Sequence, residues 1–129
     1  MIYKFKRDPS GIILVSVRLD KKFRLKMAID TAASITTLDS NPLHMANYPI
    51  GDIIETTMVE TANGIMEVDI IQTNTISSMG HRVRGMKVQM YDFLKHGIVS
   101  DYDGVLGLDF FEDTEFTINM KNQTIEVKR

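Results

Sequence analysis

The sequence predicts an all-β domain, and three observations lead to that prediction. Short runs of residues alternate between apolar and polar side chains, which is the pattern of half-buried strands. Turn-forming residues separate these runs at short intervals. Hydrophobic residues make up 43% and charged residues 25% of the 129 positions, the proportions of an ordinary globular domain. We therefore expect a single domain that spans residues 1–129.

The predicted strands share an alternating or continuous apolar character. They are residues 12–19, 23–29, 56–61, 65–71, 82–90, 104–108, 115–119 and 124–127. The first two form a hairpin through the turn at residues 20–22. The third and fourth flank Asn63-Gly64, a pair that accepts positive φ and is the strongest short-range signal for a tight hairpin.

Two segments interrupt the strand pattern. Residues 41–49 contain two prolines and predict an irregular excursion or a short helix that begins at Ser40. Residues 109–113 predict a short helix near the C-terminus, with Asp109 placed to cap it. We expect helical structure to be limited to these short pieces.

Composition and charge exclude several classes of function. The formal net charge of −2 gives no overall attraction to nucleic acid or to an anionic membrane. The absence of cysteine excludes disulfides, thiolate nucleophiles and cysteine-ligated zinc. No apolar run approaches the roughly 20 residues of a membrane span, and residues 1–7 are too charged for a secretory signal. We expect a cytoplasmic location.

The most informative chemistry lies where residues 23–29 end. The apolar face of this predicted strand is formed by Phe23, Leu25, Met27 and Ile29. The strand breaks into the segment Asp30-Thr31-Ala32-Ala33-Ser34. Small side chains after a carboxylate allow close approach by a ligand, and the Thr31 hydroxyl both donates and accepts hydrogen bonds. Alternatively, Asp30 only starts a turn through an Asx-type hydrogen bond.

A second segment, residues 103–111, combines an apolar run with glycine and an acid. Gly104 begins a short buried strand, and Gly107 predicts a close packing contact just before Asp109 and two aromatic residues. Alone, this segment predicts an ordinary corner between a strand and a helix.

Together, the loop at Asp30, the Asn63-Gly64 hairpin and the segment containing Gly107 and Asp109 resemble the retropepsin-like aspartic proteases. The resemblance extends from about residue 12 to residue 127 and is closest to small single-domain members found in bacteria and in retroelement polyproteins. It implies a closed or nearly closed β-barrel with a flap hairpin and one short helix near the C-terminus. It also implies an aspartic endopeptidase that needs no metal or organic cofactor.

The family's functional residues carry over to matching positions of this sequence. The resemblance makes Asp30 the catalytic acid and Thr31 the residue that ties two active-site loops together across a dimer axis. The active-site loop is completed by Ala32, Ala33 and Ser34. The flap residues that would contact substrate are Thr61, Ala62, Asn63, Gly64 and Ile65. The residues that would support the loop from behind are Gly107 and Asp109.

Only one loop of this type occurs in the chain, so the resemblance implies a homodimer with one catalytic Asp30 in each subunit. Two carboxylates about 3 Å apart share one proton, which favours an acidic pH optimum. The expected substrate is a peptide or protein, held under the flap as an added strand.

Ala32 departs from the family pattern, which has glycine there. Positive φ at this position would cost roughly 1 kcal/mol for alanine, whereas negative φ would leave only an added methyl group beside the acid. The alternative function is therefore a catalytically silent dimer that binds extended peptides. A third alternative, a β-barrel that binds single-stranded nucleic acid, would require a basic groove with stacking aromatics.

Overall fold

The computed structural model describes residues 1–51, 53–61 and 64–129. Strands dominate these residues. They are β1 (Ile2–Lys4), β2 (Lys6–Arg7), β3 (Ile13–Leu19), β4 (Phe23–Ile29), β5 (Thr37–Asp39), β6 (Glu55–Thr61), β7 (Gly64–Gln72), β8 (Thr75–Ser78), β9 (His81–Arg84), β10 (Lys87–Tyr91), β11 (Gly104–Leu106), β12 (Glu115–Asn119) and β13 (Thr124–Lys128). One short α-helix, α1 (Ser40–Met45), and 3₁₀ turns at Leu94–His96 and Leu108–Phe111 complete the secondary structure.

The strands form two sheets. A ten-stranded sheet has the order β6-β7-β10-β5-β11-β4-β3-β8-β9, with β2 beside the start of β3. A three-stranded sheet has the order β1-β13-β12. The β3–β4 and β6–β7 hairpins predicted from the sequence are confirmed, as is the β12–β13 hairpin.

The prediction of a closed barrel is wrong. In the part of the chain that the structure describes, the large sheet runs from β6 to β9 and these two edge strands do not meet. Both edges are polar: β6 exposes Glu55 and Glu60, and β9 exposes Arg82 and Arg84. Charged side chains on an edge strand oppose further pairing, which is consistent with an open sheet.

The short helix predicted to begin at Ser40 is confirmed, but the helix predicted near the C-terminus is wrong. Among the described residues the one α-helix is α1, where Asp39 serves as N-cap by accepting a hydrogen bond from the Asn41 amide. Near the C-terminus the chain forms only the short 3₁₀ turn at Leu108–Phe111, with Gly107 rather than Asp109 at its start. Asp109 lies inside this turn, and its carboxylate binds another segment, as described below.

The strand predicted at residues 82–90 is in fact two strands. Gly85 lies between β9 and β10 with a φ of +64°, a left-handed conformation that favours glycine and turns the chain. The amide of Gly85 donates to the Asn74 carbonyl at 2.9 Å. This turn ends β9 and starts β10, so residues 82–90 do not form one continuous strand.

The core lies against the large sheet and follows the alternation of the sequence. In β3, Val15, Val17 and Leu19 are buried while Ser16 and Arg18 are exposed. The largest fully buried side chains are Phe110, Leu19, Met27, Leu38, Leu43, Ile71, Ile76, Leu106, Ile125, Val17, Val68 and Val88. Full burial of each aliphatic or aromatic side chain contributes roughly 1.5–3 kcal/mol to folding. Among the described residues, no helix is long and apolar enough to cross a membrane.

Candidate active site

Asp30 directly follows the last residue of β4, next to the neighbouring strand β11 of the same sheet. Its amide donates to the Leu106 carbonyl of β11 at 3.1 Å, which anchors the backbone of Asp30 at the end of the sheet. Its carbonyl accepts from the Ala33 amide at 3.1 Å and closes a turn. The Asp30 backbone is therefore fixed by the sheet while its side chain is exposed.

The Asp30 carboxylate accepts a hydrogen bond from the Ala32 amide at 2.9 Å. Ala32 is outside the left-handed region, since it is not among the residues with positive φ. The backbone strain that alanine would cause at positive φ is therefore absent, and the methyl group of Ala32 is exposed beside the carboxylate. The hydrogen bond from the Ala32 amide to the Asp30 carboxylate links residues two apart and is of the Asx-turn type. The Asx turn that the sequence offered as an alternative is therefore present.

Strand β11 lies between β4 and β5 and positions the segment behind this loop. It runs parallel to β4, with Leu106 opposite Ile29, and antiparallel to β5. The chain leaves β11 at Gly107 directly beside the loop, and the Leu108 amide donates to the Ala33 carbonyl at 2.8 Å. The structure thus brings Asp30 and Gly107 to the same end of the sheet.

Gly107 packs too closely for any larger residue. A Cβ atom placed on Gly107 would lie 2.8 Å from the Ala33 carbonyl oxygen and 2.9 Å from the Ile35 carbonyl carbon. Its φ of −94° is accessible to all residues, so the requirement for glycine comes from this close contact alone. Gly107 therefore lies directly against the backbone of Ala33 and Ile35.

Asp109 binds Thr36, a residue that the sequence analysis did not identify. The Asp109 carboxylate accepts from the Thr36 amide at 2.9 Å and from the Thr36 hydroxyl at 2.6 Å. The same hydroxyl accepts from the Gly107 amide at 3.1 Å. Thr36 is fully buried, and these bonds satisfy its polar side chain. A lone threonine before a short strand carries no sequence signal for this role.

The other residues of the loop face outward. Thr31, Ala32 and Ser34 are exposed, and the side chains of Thr31 and Ser34 have no hydrogen-bond partner among the described residues. Two apolar residues next to them are also exposed to solvent: Ile35 is 41% exposed and Leu108 is 40% exposed. The loop therefore presents a carboxylate, two hydroxyls and apolar surface together, and the sequence analysis had missed Ile35 and Leu108.

The β6–β7 hairpin carries the other predicted site residues. Thr61 pairs with Gly64 at its end, and the Thr61 hydroxyl donates to the Gly64 carbonyl at 2.9 Å. Gly64 has a φ of +113°, and Ile65 is 72% exposed. Ala62 and Asn63, the predicted tip residues, lie outside the described residues.

The two faces of this hairpin differ in character. Val59 and Met66 are directly opposite each other and half-buried, on the face that becomes the core at Val68. The opposite face exposes Met58, Glu60 and Ile65. Strand β7 pairs with β10, which pairs with β5, so the hairpin belongs to the same sheet as the Asp30 loop.

His81 supports the turn that contains Asp109. Its ring is 3% exposed, and Nε2 lies 3.0 Å from the Phe110 carbonyl oxygen, so Nε2 carries the proton and donates. Nδ1 is buried without a partner in the described part of the chain. Burial lowers the pKa of His81, an effect that the Phe110 bond opposes and the Arg129 charge reinforces.

Over residues 1–51, 53–61 and 64–129, no group of three or more His, Cys, Asp or Glu side chains could hold a metal ion. The three histidines, which have no ligand-like spacing in the sequence, are also dispersed over different elements.

Comparison with known proteins finds a matching family model and similar solved structures. A family model described as "Aspartyl protease" matches residues 15–110, a range that contains Asp30, Gly107 and Asp109. Among solved structures, the fold is similar to a retropepsin-like aspartic protease from Rickettsia conorii, with a TM-score of 0.71 and 19% sequence identity. That match covers 99% of this chain and 91% of the other. No curated protein sequence matches the chain.

Proposed function

This chain belongs to the aspartyl protease family and has a retropepsin-like fold, and on that premise we propose that it is a homodimeric aspartic endopeptidase. The observation that carries the proposal is Asp30, an exposed carboxylate held by the Ala32 amide on a loop whose backbone is fixed by β11. The substrate class is a peptide or protein.

A homodimer is required because one chain supplies one such carboxylate. Pairing two copies about a two-fold axis brings Asp30 beside the partner's Asp30. Thr31 and Ser34 on the Asp30 loop have exposed hydroxyls, and Ile35 and Leu108 next to the loop have exposed apolar side chains. This exposed surface supports a second copy that covers this side of the loop. In this arrangement Thr31 ties the two loops together.

In the mechanism, two carboxylates about 3 Å apart share one proton, because both cannot ionise at that distance. The ionised carboxylate removes a proton from a water molecule, whose oxygen attacks the peptide carbonyl carbon. The other carboxylic acid donates its proton to the carbonyl oxygen. The tetrahedral intermediate then collapses, the C–N bond breaks, and the leaving nitrogen takes a proton from the acid pair.

The β6–β7 hairpin acts as the flap in this proposal. An extended substrate lies between the hairpin and Asp30 and binds through main-chain hydrogen bonds, with alternate side chains in pockets. Val59 and Met66, on the half-buried face of the hairpin, supply apolar contacts to those side chains. Thr61, Gly64 and Ile65 lie nearest to its tip.

Mass-spectrometric mapping of cuts in a diverse peptide mixture, between about pH 4 and pH 7, tests the proposal. The wild type is compared with Asp30→Asn, and with Asp113→Asn as the matched control, since Asp113 is exposed and far along the chain from the loop. We expect cuts on the acidic side of neutrality with the wild type and the control, and none with Asp30→Asn. Sedimentation establishes that each sample is dimeric.

A second candidate function is a dimer that binds extended peptides without cleaving them. The methyl group of Ala32, exposed beside the carboxylate, favours it. A dimeric wild type that makes no Asp30-dependent cut at any pH, yet binds peptides, would replace the first proposal with this one.

A further inference from the structure

A basic groove lies on the face of the β3–β4 hairpin, away from the Asp30 loop. Its volume is about 1160 Å³, and its floor carries Arg18, Arg24 and Lys26. Residues 3, 4 and 6–9 form one wall, and residues 77–80 form another part of its boundary. Arg24 and Lys26 are six and four residues before Asp30, so the groove floor lies about 13 to 20 Å from the acid at 3.3 Å per residue.

The strand register places like charges side by side on this floor. Arg18 lies directly opposite Arg24, and Ser16 lies opposite Lys26. On the other side of β3, Arg18 pairs with Ser77, which pairs with Arg82 of β9. Directly paired residues share a face, so these side chains form one row across four strands. The row consists of three arginines and one serine: Arg24, Arg18, Ser77 and Arg82. Like charges in directly opposite positions destabilise a sheet.

Among the described residues, the acids that line the groove make no ion pair with this row. The groove is lined by six Lys or Arg residues and by three Asp residues. Over the residues that the structure describes, the one ion pair within 4.0 Å joins Lys128 and Glu126. Two of the three acids already serve the backbone: Asp8 accepts from the Ser10 and Ile12 amides, and Asp103 accepts from the Lys26 amide. The cationic side chains of the floor are exposed and unpaired.

We propose that this groove binds an extended acidic peptide segment. Arg24 and Lys26 are two residues apart on one strand face, so their side chains emerge about 7 Å apart. Acidic residues at alternate positions of an extended peptide have the same spacing, and Arg18 adds a cation in the neighbouring strand. Arginine and lysine in a groove bind carboxylates by charge-assisted hydrogen bonds.

The floor favours a peptide over nucleic acid. Single-stranded nucleic acid binds to basic grooves through aromatic side chains on which the bases stack. The floor positions Ser16, Arg18, Arg24, Lys26 and Ser77 include no aromatic residue, and Tyr3 on the wall is half-buried with its hydroxyl bonded to Met1 Sδ.

The acidic segment belongs to a protein substrate, and only this part of the inference rests on the proposed endopeptidase function. The groove then holds part of the substrate at a distance from the scissile bond. Binding by itself requires neither catalysis nor Asp30, so it can be measured separately from cleavage.

Fluorescence anisotropy with a labelled ten-residue peptide of alternating Glu and Thr tests the proposal. The full chain carries Asp30→Asn, so that no probe is cleaved, and is compared with the same chain carrying Arg18→Ser and Arg24→Ser. The control carries Lys95→Ser and Lys121→Ser, which remove the same charge from exposed positions outside the groove. A Lys-Thr peptide and a ten-nucleotide oligothymidine are the comparison probes.

We expect saturable binding of the Glu-Thr peptide that weakens at least tenfold in the Arg18/Arg24 variant and less than twofold in the control. Binding also weakens between 50 and 300 mM salt, because exposed charges are screened. The Arg18/Arg24 variant loses a like-charge pair, so its folding is retained; Lys26→Ser is a second variant with an expected loss of about threefold. No saturable binding up to about 1 mM, equal losses in variant and control, or tighter binding of the oligonucleotide would each overturn the proposal.

Discussion

Thr36 and Asp109 are 73 residues apart in the chain, yet two hydrogen bonds of 2.9 and 2.6 Å join them. Because the Thr36 hydroxyl also accepts from the Gly107 amide, the bonds form a closed circuit through the turn that contains Asp109. Thr36 lies two residues after Ser34, the last residue of the Asp30 loop. The circuit therefore fixes where that loop ends, while the Leu106 carbonyl fixes where it begins.

Asp109→Asn tests the importance of this circuit for folding. An amide in place of the carboxylate has one acceptor oxygen, so one of the two bonds from Thr36 is lost and a buried donor is left unsatisfied. We expect the free energy of unfolding to fall by about 1–3 kcal/mol in urea denaturation. Peptide cleavage should fall as well, because the end of the Asp30 loop is less firmly held.

Glu112→Gln is the control for this variant. Glu112 is exposed and follows the same turn, so the same chemical change there should alter stability by less than about 0.5 kcal/mol. Equal destabilisation of the two variants would show that the Thr36 bonds do not contribute to stability as we infer.

Gly107→Ala introduces a methyl group into the closest contact behind the loop. Since its Cβ would lie 2.8 and 2.9 Å from backbone atoms of Ala33 and Ile35, the backbone must move. We expect a loss of about 1–3 kcal/mol in stability, as for other overpacked sites, and a drop in kcat at least as large as that of Asp109→Asn. Gly51→Ala is the control, because nothing lies within 4 Å of the corresponding Cβ. Unchanged kcat in Gly107→Ala would contradict the packing role.

The sequence predicted those parts of the fold that depend on local periodicity and turn chemistry. The alternation in residues 23–29 predicted β4, and Asn63-Gly64 predicted the β6–β7 hairpin, because both signals act over a few neighbouring residues. Gly107 was recognisable because a glycine at the end of an apolar run indicates close packing.

The features that the sequence did not predict depend on distant partners. Thr36 binds Asp109 across 73 residues, and no local pattern distinguishes a buried threonine from an exposed one before folding. Barrel closure depends on whether β6 and β9 meet, which is a property of the whole sheet. The turn at Gly85 was missed because residues 82–90 are polar and apolar in nearly continuous alternation.

The burial of His81 leads us to expect a loss of stability in mild acid. A proton added at Nδ1 would be buried without an acceptor, so the folded protein disfavours the charged ring and its pKa is below the ordinary value of 6.5. The unfolded chain then binds the proton more readily. Stability is full above about pH 6.5 and decreases as the pH falls below it, with a slope of at most about 1.4 kcal/mol per pH unit for one proton.

Urea denaturation of His81→Gln at pH 7.5, 6 and 5 measures this effect. Glutamine can still donate to the Phe110 carbonyl but does not titrate, so we expect a smaller fall in stability between pH 7.5 and pH 5 than in the wild type. His96→Gln is the control, because His96 is exposed and takes no part in the Phe110 contact. Identical pH dependence in His81→Gln and the wild type would exclude His81 as its source.

Ala32→Gly tests whether the departure from the family's usual glycine limits the reaction. The Ala32 amide already donates to Asp30 without positive φ, so glycine adds no missing hydrogen bond and relieves no strain. We expect the free energy of unfolding to fall by about 0.5–1 kcal/mol, because glycine gives the unfolded chain more freedom. If the protein is the endopeptidase proposed above, kcat/KM should stay within about threefold of the wild type. Ala33→Gly is the matched control for the entropic cost. A gain of tenfold or more in kcat/KM for Ala32→Gly alone would show instead that the methyl group obstructs the acid pair, and would support the peptide-binding function for the natural sequence.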